Sequence, residues 1–159
     1  MEKIYILCVE DQREVLHAIL QDLEPLADSF ILEGCESALE AEELMDEVDS
    51  RGDLIGLLIC DHVMPDKSGV DFLIEVNRDG RFLHTKKLLL TGLATHQDTI
   101  NAINQANIDR YIEKPWAAEE LVRRARQLLT LFILDKGLPY EKFLPILDTD
   151  ILFERIRKS

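Results

Sequence analysis

The sequence has few cysteines and no long apolar run. Its three cysteines, Cys8, Cys35 and Cys60, form no C-x-x-C pair, so we expect buried small hydrophobic side chains in a reducing compartment rather than disulfide partners or metal ligands. No apolar stretch approaches the ~20 residues that a membrane span needs. Because Glu2 and Lys3 lead straight into a short apolar segment, a signal peptide is not indicated. We therefore expect a cytoplasmic protein with no membrane partner.

Basic side chains are also scarce. The chain has 18 lysines and arginines against 31 aspartates and glutamates, which gives a formal net charge of −13. Residues 131–159 are balanced in charge, so the whole excess of acid falls in residues 1–130. Because binding to a nucleic-acid backbone demands a basic face, we expect no nucleic-acid partner. The excess is compatible with a bound divalent cation, with basic partner surfaces or with solubility alone.

Apolar, strand-like segments alternate five times with segments of helical periodicity. The strand-like segments are 3–9, 30–32, 54–60, 88–90 and 109–112, and the helical segments are 13–23, 37–48, 69–78, 97–106 and 117–134. The run 54–60 is apolar throughout, which is typical of a central strand that is buried on both faces. The alternation predicts right-handed crossovers, and therefore a doubly wound α/β fold with a parallel sheet and helices on both faces.

The last of these helical segments becomes apolar on more than one face near its end. Residues 131–134 are all apolar, whereas a surface helix shows a single apolar stripe. The residues that follow carry further apolar side chains and a short helix-like piece. We therefore predict a main domain over residues 1–135 and a helical extension over residues 136–159. The extension is expected to pack on its own domain or, across a two-fold axis, on a second chain.

Charged side chains stand at the ends of three strand-like segments. Glu10 and Asp11 follow the first segment, Asp61 follows the third, and Lys114 comes shortly after the fifth. In an open α/β sheet, the carboxyl ends of the strands form the crevice that binds ligands. Three carboxylates and one ammonium group in one crevice predict a site for a metal ion and a phosphate group.

A resemblance to a known family rests on these residues and their neighbours. The matching pieces, in the family's order and spacing over about residues 3–130, are Glu10-Asp11, Asp61 with Met64-Pro65 and Gly69, Thr91-Gly92, and Tyr111 with Lys114-Pro115. With these pieces on a five-fold alternation of strands and helices, the chain resembles the receiver domain of a two-component response regulator. The resemblance implies a flavodoxin-like (βα)5 sheet with strand order 2-1-3-4-5. It also implies a role in a signalling phosphorelay rather than that of an enzyme.

The resemblance implies roles for individual residues as well. Asp61 is the expected phosphoacceptor, which forms an aspartyl phosphate. Mg²⁺ is the expected cofactor, held by Glu10, Asp11, Asp61 and the backbone carbonyl of Val63, because this ion prefers oxygen ligands. Lys114 is expected to offer a compact positive charge to a phosphoryl oxygen.

Thr91 and Tyr111 are the residues expected to form the switch. The Thr91 hydroxyl is expected to bind another phosphoryl oxygen and, with Tyr111, to couple the phosphate to a shift of a loop and a helix. The bond that precedes Pro115 is expected to be a cis peptide bond. Val63 and Leu93 hold positions that influence how fast water removes the phosphate in this family. Since both are apolar, we expect a long-lived aspartyl phosphate.

The resemblance implies two kinds of protein partner. A histidine kinase or a phosphotransfer protein donates the phosphoryl group, and a downstream partner or output domain binds the surface at about residues 97–130.

Two alternatives remain open at this point. The first is a receiver-like interaction module that is never phosphorylated. The second is a small Mg²⁺-dependent phosphatase with an aspartyl intermediate. Such enzymes place a second acid two residues after the nucleophile, and Val63 at that position counts against this alternative. Taken singly, Asp11 could cap a helix, and Lys114 could be a surface lysine.

Overall fold

The structure is a computed structural model that describes residues 2–92 and 97–158. Five parallel strands form one sheet in the order β2-β1-β3-β4-β5. The strands are β1 (Ile4–Val9), β2 (Ile31–Cys35), β3 (Leu54–Asp61), β4 (Lys86–Thr91) and β5 (Arg110–Glu113). The helices are α1 (Arg13–Asp22), α2 (Ala38–Ser50), α3 (Gly69–Asn77), α4 (Gln97–Ala106), α5 (Ala118–Lys136) and α6 (Thr149–Lys158). The predicted doubly wound sheet and its strand order are confirmed.

The sheet is buried on both faces, which explains the continuous apolar run in the third strand. Successive side chains of a strand point to opposite faces. Leu57 and Ile59 join the core beneath α1 and α5, whereas Leu58 and Cys60 join the core beneath α2, α3 and α4. The three cysteines are buried free thiols, as expected, and burial holds the pKa of each thiol well above its ordinary value. None of the described helices has the length and apolar character needed to cross a membrane.

The helix starts show which polar side chains serve local structure. The Ser37 hydroxyl accepts the Glu40 N–H at 3.1 Å, and the Glu40 carboxylate accepts the Glu36 N–H at 2.9 Å. This pair of bonds holds the start of α2. In contrast, the residue that caps α1 is Gln12, with no capping bond from its side chain. Asp11 is therefore not the cap of α1, so that simpler interpretation of Asp11 is wrong.

The extension folds back onto its own domain. Helix α5 continues to Lys136, and Gly137 ends it in the left-handed conformation that favours glycine, with φ of 75°. Leu147 and Leu152 of the extension are buried in the core beneath α1 and α5, and the Phe143 ring stacks on the Phe30 ring with centroids 6.1 Å apart. Within this single chain, the extension covers the apolar end of α5.

Two polar contacts fasten α6 to this position. Thr130 is fully buried in α5, where its hydroxyl donates to the Arg126 carbonyl at 2.8 Å and accepts the Asp148 N–H at 2.9 Å. Near the end of α5, the Asp135 carboxylate accepts hydrogen bonds from Lys86 and from Arg155 of α6, each at 2.8 Å. The Arg155–Asp135 ion pair is partly exposed, and ion pairs near the surface add little stability. The buried Thr130 hydroxyl is therefore the stronger link between α5 and the extension.

The Thr130 link gives a prediction about stability. In Thr130→Val the side chain keeps its shape, but the Asp148 N–H loses its partner, and we expect a loss of about 1–3 kcal/mol in the free energy of unfolding. For a chain of this size, each kcal/mol corresponds to a fall of about 2–4 °C in melting temperature. Calorimetry checks this, with Thr130→Ser as the control that keeps the hydroxyl and should lose less. A valine variant as stable as the parent would contradict this role of the hydroxyl.

Candidate functional site

The charged residues predicted to form a site lie together at the carboxyl edge of the sheet. Glu10 directly follows β1, Asp61 is the last residue of β3, and Lys114 directly follows β5. Because all five strands are parallel, these ends share one edge. The sheet order places β1 beside β3, which brings Glu10 and Asp61 next to each other, and Lys114 reaches them from across β4.

The three acids are close enough to share one metal ion. One ligand oxygen from each of Glu10, Asp11 and Asp61 lies within 4.8 Å of the others. Glu10 and Asp61 are buried, at 1% and 5% exposed, whereas Asp11 is partly exposed. Carboxylate oxygens of this kind suit a hard divalent cation such as Mg²⁺. The arrangement therefore fits the predicted ion through the chemistry of its donor atoms.

Lys114 provides the positive charge of the site. Its ammonium group donates to Asp61 Oδ1 at 2.7 Å and to Glu10 Oε1 at 3.4 Å. Burial opposes the charged form, but the hydrogen bond and the charge of Asp61, followed by the charge of Glu10, outweigh it and raise the pKa of Lys114. Lys114 therefore stays charged at neutral pH, and its interpretation as an unattached surface lysine is wrong.

The carboxylates exceed what Lys114 alone can balance. Burial raises the pKa of Glu10 to about 7, and a hydrogen bond with Asp11 and the charge of Asp61 act in the same direction. A backbone hydrogen bond from Gln12 and the charge of Lys114 oppose this shift but are smaller. A second cation beside these acids would stabilise the charged form of Glu10. A bound cation would therefore lower the pKa of Glu10 toward its ordinary value.

The loop after Asp61 is held tightly against the strand end. The Gly69 N–H donates to the His62 carbonyl at 2.8 Å, and a Cβ at residue 69 would collide with the Asp61 carbonyl oxygen. Only glycine permits this approach of the start of α3 to Asp61. The glycine eight residues after Asp61, part of the receiver-like motif, is therefore required by steric contact with the Asp61 carbonyl.

Two other residues of this loop bind helices, which the sequence analysis missed. The Asp66 carboxylate accepts the backbone N–H groups of Ala38 and Leu39 at the start of α2, at 3.4 and 3.1 Å. Lys67 forms ion pairs with Glu42 of α2 and Glu75 of α3. An aspartate and a lysine in a polar loop are ordinary in sequence, and no local pattern links them to helices elsewhere in the chain.

The remaining predicted residues lie around this centre. Thr91 is buried at the end of β4, and its carbonyl accepts the Lys114 N–H at 3.1 Å. The Lys114–Pro115 peptide bond is cis, as expected. Tyr111 lies on β5 and is 49% exposed, and Val63 is 68% exposed. Leu93 lies outside the described residues, so the expectation about its position stays a prediction.

Comparisons with known proteins agree with this arrangement. The family model "Response regulator receiver domain" matches residues 6–126. The chain is 30% identical over 135 residues to the hydrogenase transcriptional regulatory protein HoxA of Bradyrhizobium diazoefficiens, covering 82% of this chain and 25% of that protein. It is 31% identical over 124 residues to the transcriptional regulatory protein CpxR of Escherichia coli K12, covering 78% of this chain and 48% of CpxR. The chain thus spans between a quarter and a half of the length of these curated relatives.

A solved structure shows the same relationship in three dimensions. The signal receiver domain of an HD domain-containing protein from Pseudomonas fluorescens Pf-5 superposes with a TM-score of 0.73 and 27% identity, covering 86% of this chain and 94% of that one. The family match contains all five strands from Ile6 of β1 onward, together with every residue of the acidic site. The chain therefore belongs to the family of response regulator receiver domains.

Proposed function

We propose that this receiver domain accepts a phosphoryl group on Asp61 from a histidine kinase or a phosphotransfer protein. The observation that carries the proposal is the hydrogen bond of 2.7 Å between the Lys114 ammonium group and Asp61 Oδ1. This bond supports the proposal, because a carboxylate that would act as the nucleophile lies beside a cation that would bind the phosphoryl oxygens. The buried position of Asp61 at the end of β3 keeps that carboxylate in a fixed orientation.

Glu10, Asp11 and Asp61, with the backbone carbonyl of Val63, are the proposed ligands of Mg²⁺. When bound, this ion neutralises charge on the phosphoryl oxygens and so lowers the repulsion that a carboxylate nucleophile meets. The fit of the three acids to a cation rests on the mutual distances of their oxygens, which lie within 4.8 Å of one another.

The chemical step needs little beyond positioning and charge. An Asp61 carboxylate oxygen forms a bond to phosphorus while the phosphorus–nitrogen bond of the donor's phosphohistidine breaks. The imidazole nitrogen leaves with the bonding electrons and takes up a proton from solvent. Lys114 then passes from the free carboxylate to a phosphoryl oxygen, where its fixed position stabilises the charge that develops.

Thr91 and Tyr111 are the proposed link from the phosphate to partner proteins. Thr91 ends the strand between Asp61 and Lys114, and its carbonyl is already joined to the Lys114 backbone. A phosphoryl group that binds the Thr91 hydroxyl would shift the segment that follows β4. The half-exposed Tyr111 lies on the neighbouring strand β5, where it would respond to that shift. The surface at about residues 97–130 is the proposed binding site for a downstream partner or output domain.

Two further proposals concern the lifetime of the signal and the extent of the unit. The Val63 side chain is apolar and exposed, so it offers no acid or base to a hydrolytic water. This counts against the phosphatase alternative and favours a persistent aspartyl phosphate.

We assign the receiver function to residues 1–135, with residues 136–159 as a packed extension.

Asp61 is expected to be the residue that accepts phosphate. Incubation of the chain with a small phosphodonor and Mg²⁺ should add one phosphate by intact mass, and Asp61→Asn should abolish the gain because the nucleophile is lost. Asp66→Asn, an acid-to-amide change in the same loop, should still accept phosphate. A full adduct on Asp61→Asn would reject Asp61 as acceptor, and no adduct on the parent chain would favour the unphosphorylated interaction module.

Mg²⁺ binding is expected to depend on Asp11 more than on neighbouring acids. Calorimetric titration of Asp11→Asn should show affinity reduced by about tenfold or more, since even indirect partners of a metal ligand contribute that much. Glu14→Gln, which removes an exposed charge close by on α1, should change the affinity little. Equal affinities for the parent and Asp11→Asn would show that this acid does not bind the ion.

Thr91 is expected to act in signalling more than in phosphate transfer. Thr91→Ala should accept phosphate, because Asp61, the acids and Lys114 remain, but NMR shifts induced by phosphate at Tyr111 should largely disappear. Thr91→Ser, which keeps a hydroxyl, should restore them. Shifts at Tyr111 that equal those of the parent in the alanine variant would remove Thr91 from the switch.

A further inference from the structure

A groove lies between α2 and α3, on the sheet face opposite α1 and α5. It has a volume of about 340 Å³ and is bordered at one end by the turn at Gly80–Phe82. The side chains at its base are apolar and buried: Met45, Phe72, Val76 and Phe82. This volume falls within the range of ordinary ligand pockets. The groove is separate from the acidic site and from the surface at residues 97–130.

Both walls of this groove carry negative charge. The acidic residues of α2 are Glu40, Glu42, Glu43, Asp46, Glu47 and Asp49, and those of α3 are Asp71 and Glu75, and neither helix contains a basic residue. Of these acids, Glu42, Asp46 and Glu75 line the groove itself. The walls therefore favour a positively charged occupant and repel an acidic one.

Two cations from loops lie at the rim. Lys67 pairs with Glu42 at 2.8 Å and with Glu75, which ties α2 to α3 across the groove. At the other end, the Arg81 guanidinium pairs with Asp46 at 2.9 Å and lies 4.9 Å from the centre of the Phe82 ring. The side chains in these pairs are 30–65% exposed. Exposed pairs of this kind contribute about 0–1 kcal/mol each, so cations of a partner can replace Lys67 at little cost. Arg81 is held more firmly, because both carboxylate oxygens of Asp79 also accept hydrogen bonds from it.

We propose that the groove between α2 and α3 docks a basic, apolar segment of a partner protein. A large apolar side chain of the segment contacts the base at Val76 and Phe82, which keep a small exposed area, and lysines or arginines on either side of it pair with the acids of the walls. Charge complementarity selects the basic character of the segment, and the apolar base selects a side chain that a simple polycation lacks.

The groove is connected to the acceptor site through one loop. Lys67 lies at the rim, and Asp66 beside it holds the start of α2. A segment that displaces Lys67 from its acids therefore contacts the loop that follows Asp61. The proposal does not rest on phosphorylation of Asp61, because none of the residues that line the groove belongs to the acidic cluster.

The test uses the full chain without a phosphodonor. A short synthetic peptide of leucines and lysines serves as the probe, and a lysine-only peptide of equal length is its control. We expect NMR shifts from the first peptide to centre on Met45, Phe72 and Val76. The lysine-only peptide should bind about tenfold more weakly, which corresponds to 1.4 kcal/mol lost with the apolar contact.

Matched charge reversals locate the site. Asp46→Lys should weaken binding of the leucine–lysine peptide about tenfold, because a cation then meets a cation in the groove. Glu43→Lys makes the same change on the same helix at an exposed position outside the groove, and should weaken it less than about twofold. The milder Asp46→Asn should weaken binding by a factor between those of the two lysine variants. It replaces Asp46→Lys in the test if that variant does not fold.

Three results would overturn the proposal. Equal losses in Asp46→Lys and Glu43→Lys would mean general attraction to an acidic chain. Equal affinity for the lysine-only peptide would mean that the apolar base is not used. Shifts centred on residues 97–130, or an absence of binding, would place the partner surface elsewhere.

Discussion

The ion pair between Lys114 and Asp61 is the contact on which the functional end of the molecule depends. It joins residues 53 positions apart, and it forms because β1, β3 and β5 are parallel and end at one edge. Two carboxylates, Glu10 and Asp61, are buried there. Burying carboxylates is costly unless a cation compensates them. The cores on both faces of the sheet hold this arrangement of charges in place, and it resembles the charge pattern that a bound phosphate and metal ion require.

The central strands and the site could be predicted from sequence because their signals are local. The apolar run of β3 leads directly into Asp61, and the apolar run of β1 leads directly into Glu10 and Asp11. The edge strand was harder: residues 30–32 were predicted, whereas β2 is Ile31–Cys35. Because an edge strand is only partly covered, it tolerates residues such as Glu33 and Gly34, and these interrupt the apolar pattern that marks a strand. β4 was also predicted too short, since Lys87 sits in it as a buried lysine whose pKa burial lowers.

What the sequence could not reveal is carried by contacts between distant residues. Nothing near Thr130 shows that its hydroxyl meets the backbone of Asp148, and nothing near Asp66 shows that it caps a helix that precedes it in the chain. The direction in which the extension packs was left open for the same reason. Apolar composition predicts that a surface is covered, but the covering partner depends on shape. Within this single chain, the extension contacts Phe30, Leu128 and the rest of that core.

The length of α5 has a consequence for communication between the two ends of the molecule. The helix starts shortly after Lys114 and ends next to Asp135, and its 19 residues span about 28 Å at about 1.5 Å per residue. Thr130 and Asp135, which bind the extension, belong to the same helix that begins shortly after Lys114. A rigid helix of this length acts as a lever, so a tilt of about 3° at one end would move the other by about 1.5 Å. A change in the angle of α5 would therefore be carried directly to the extension.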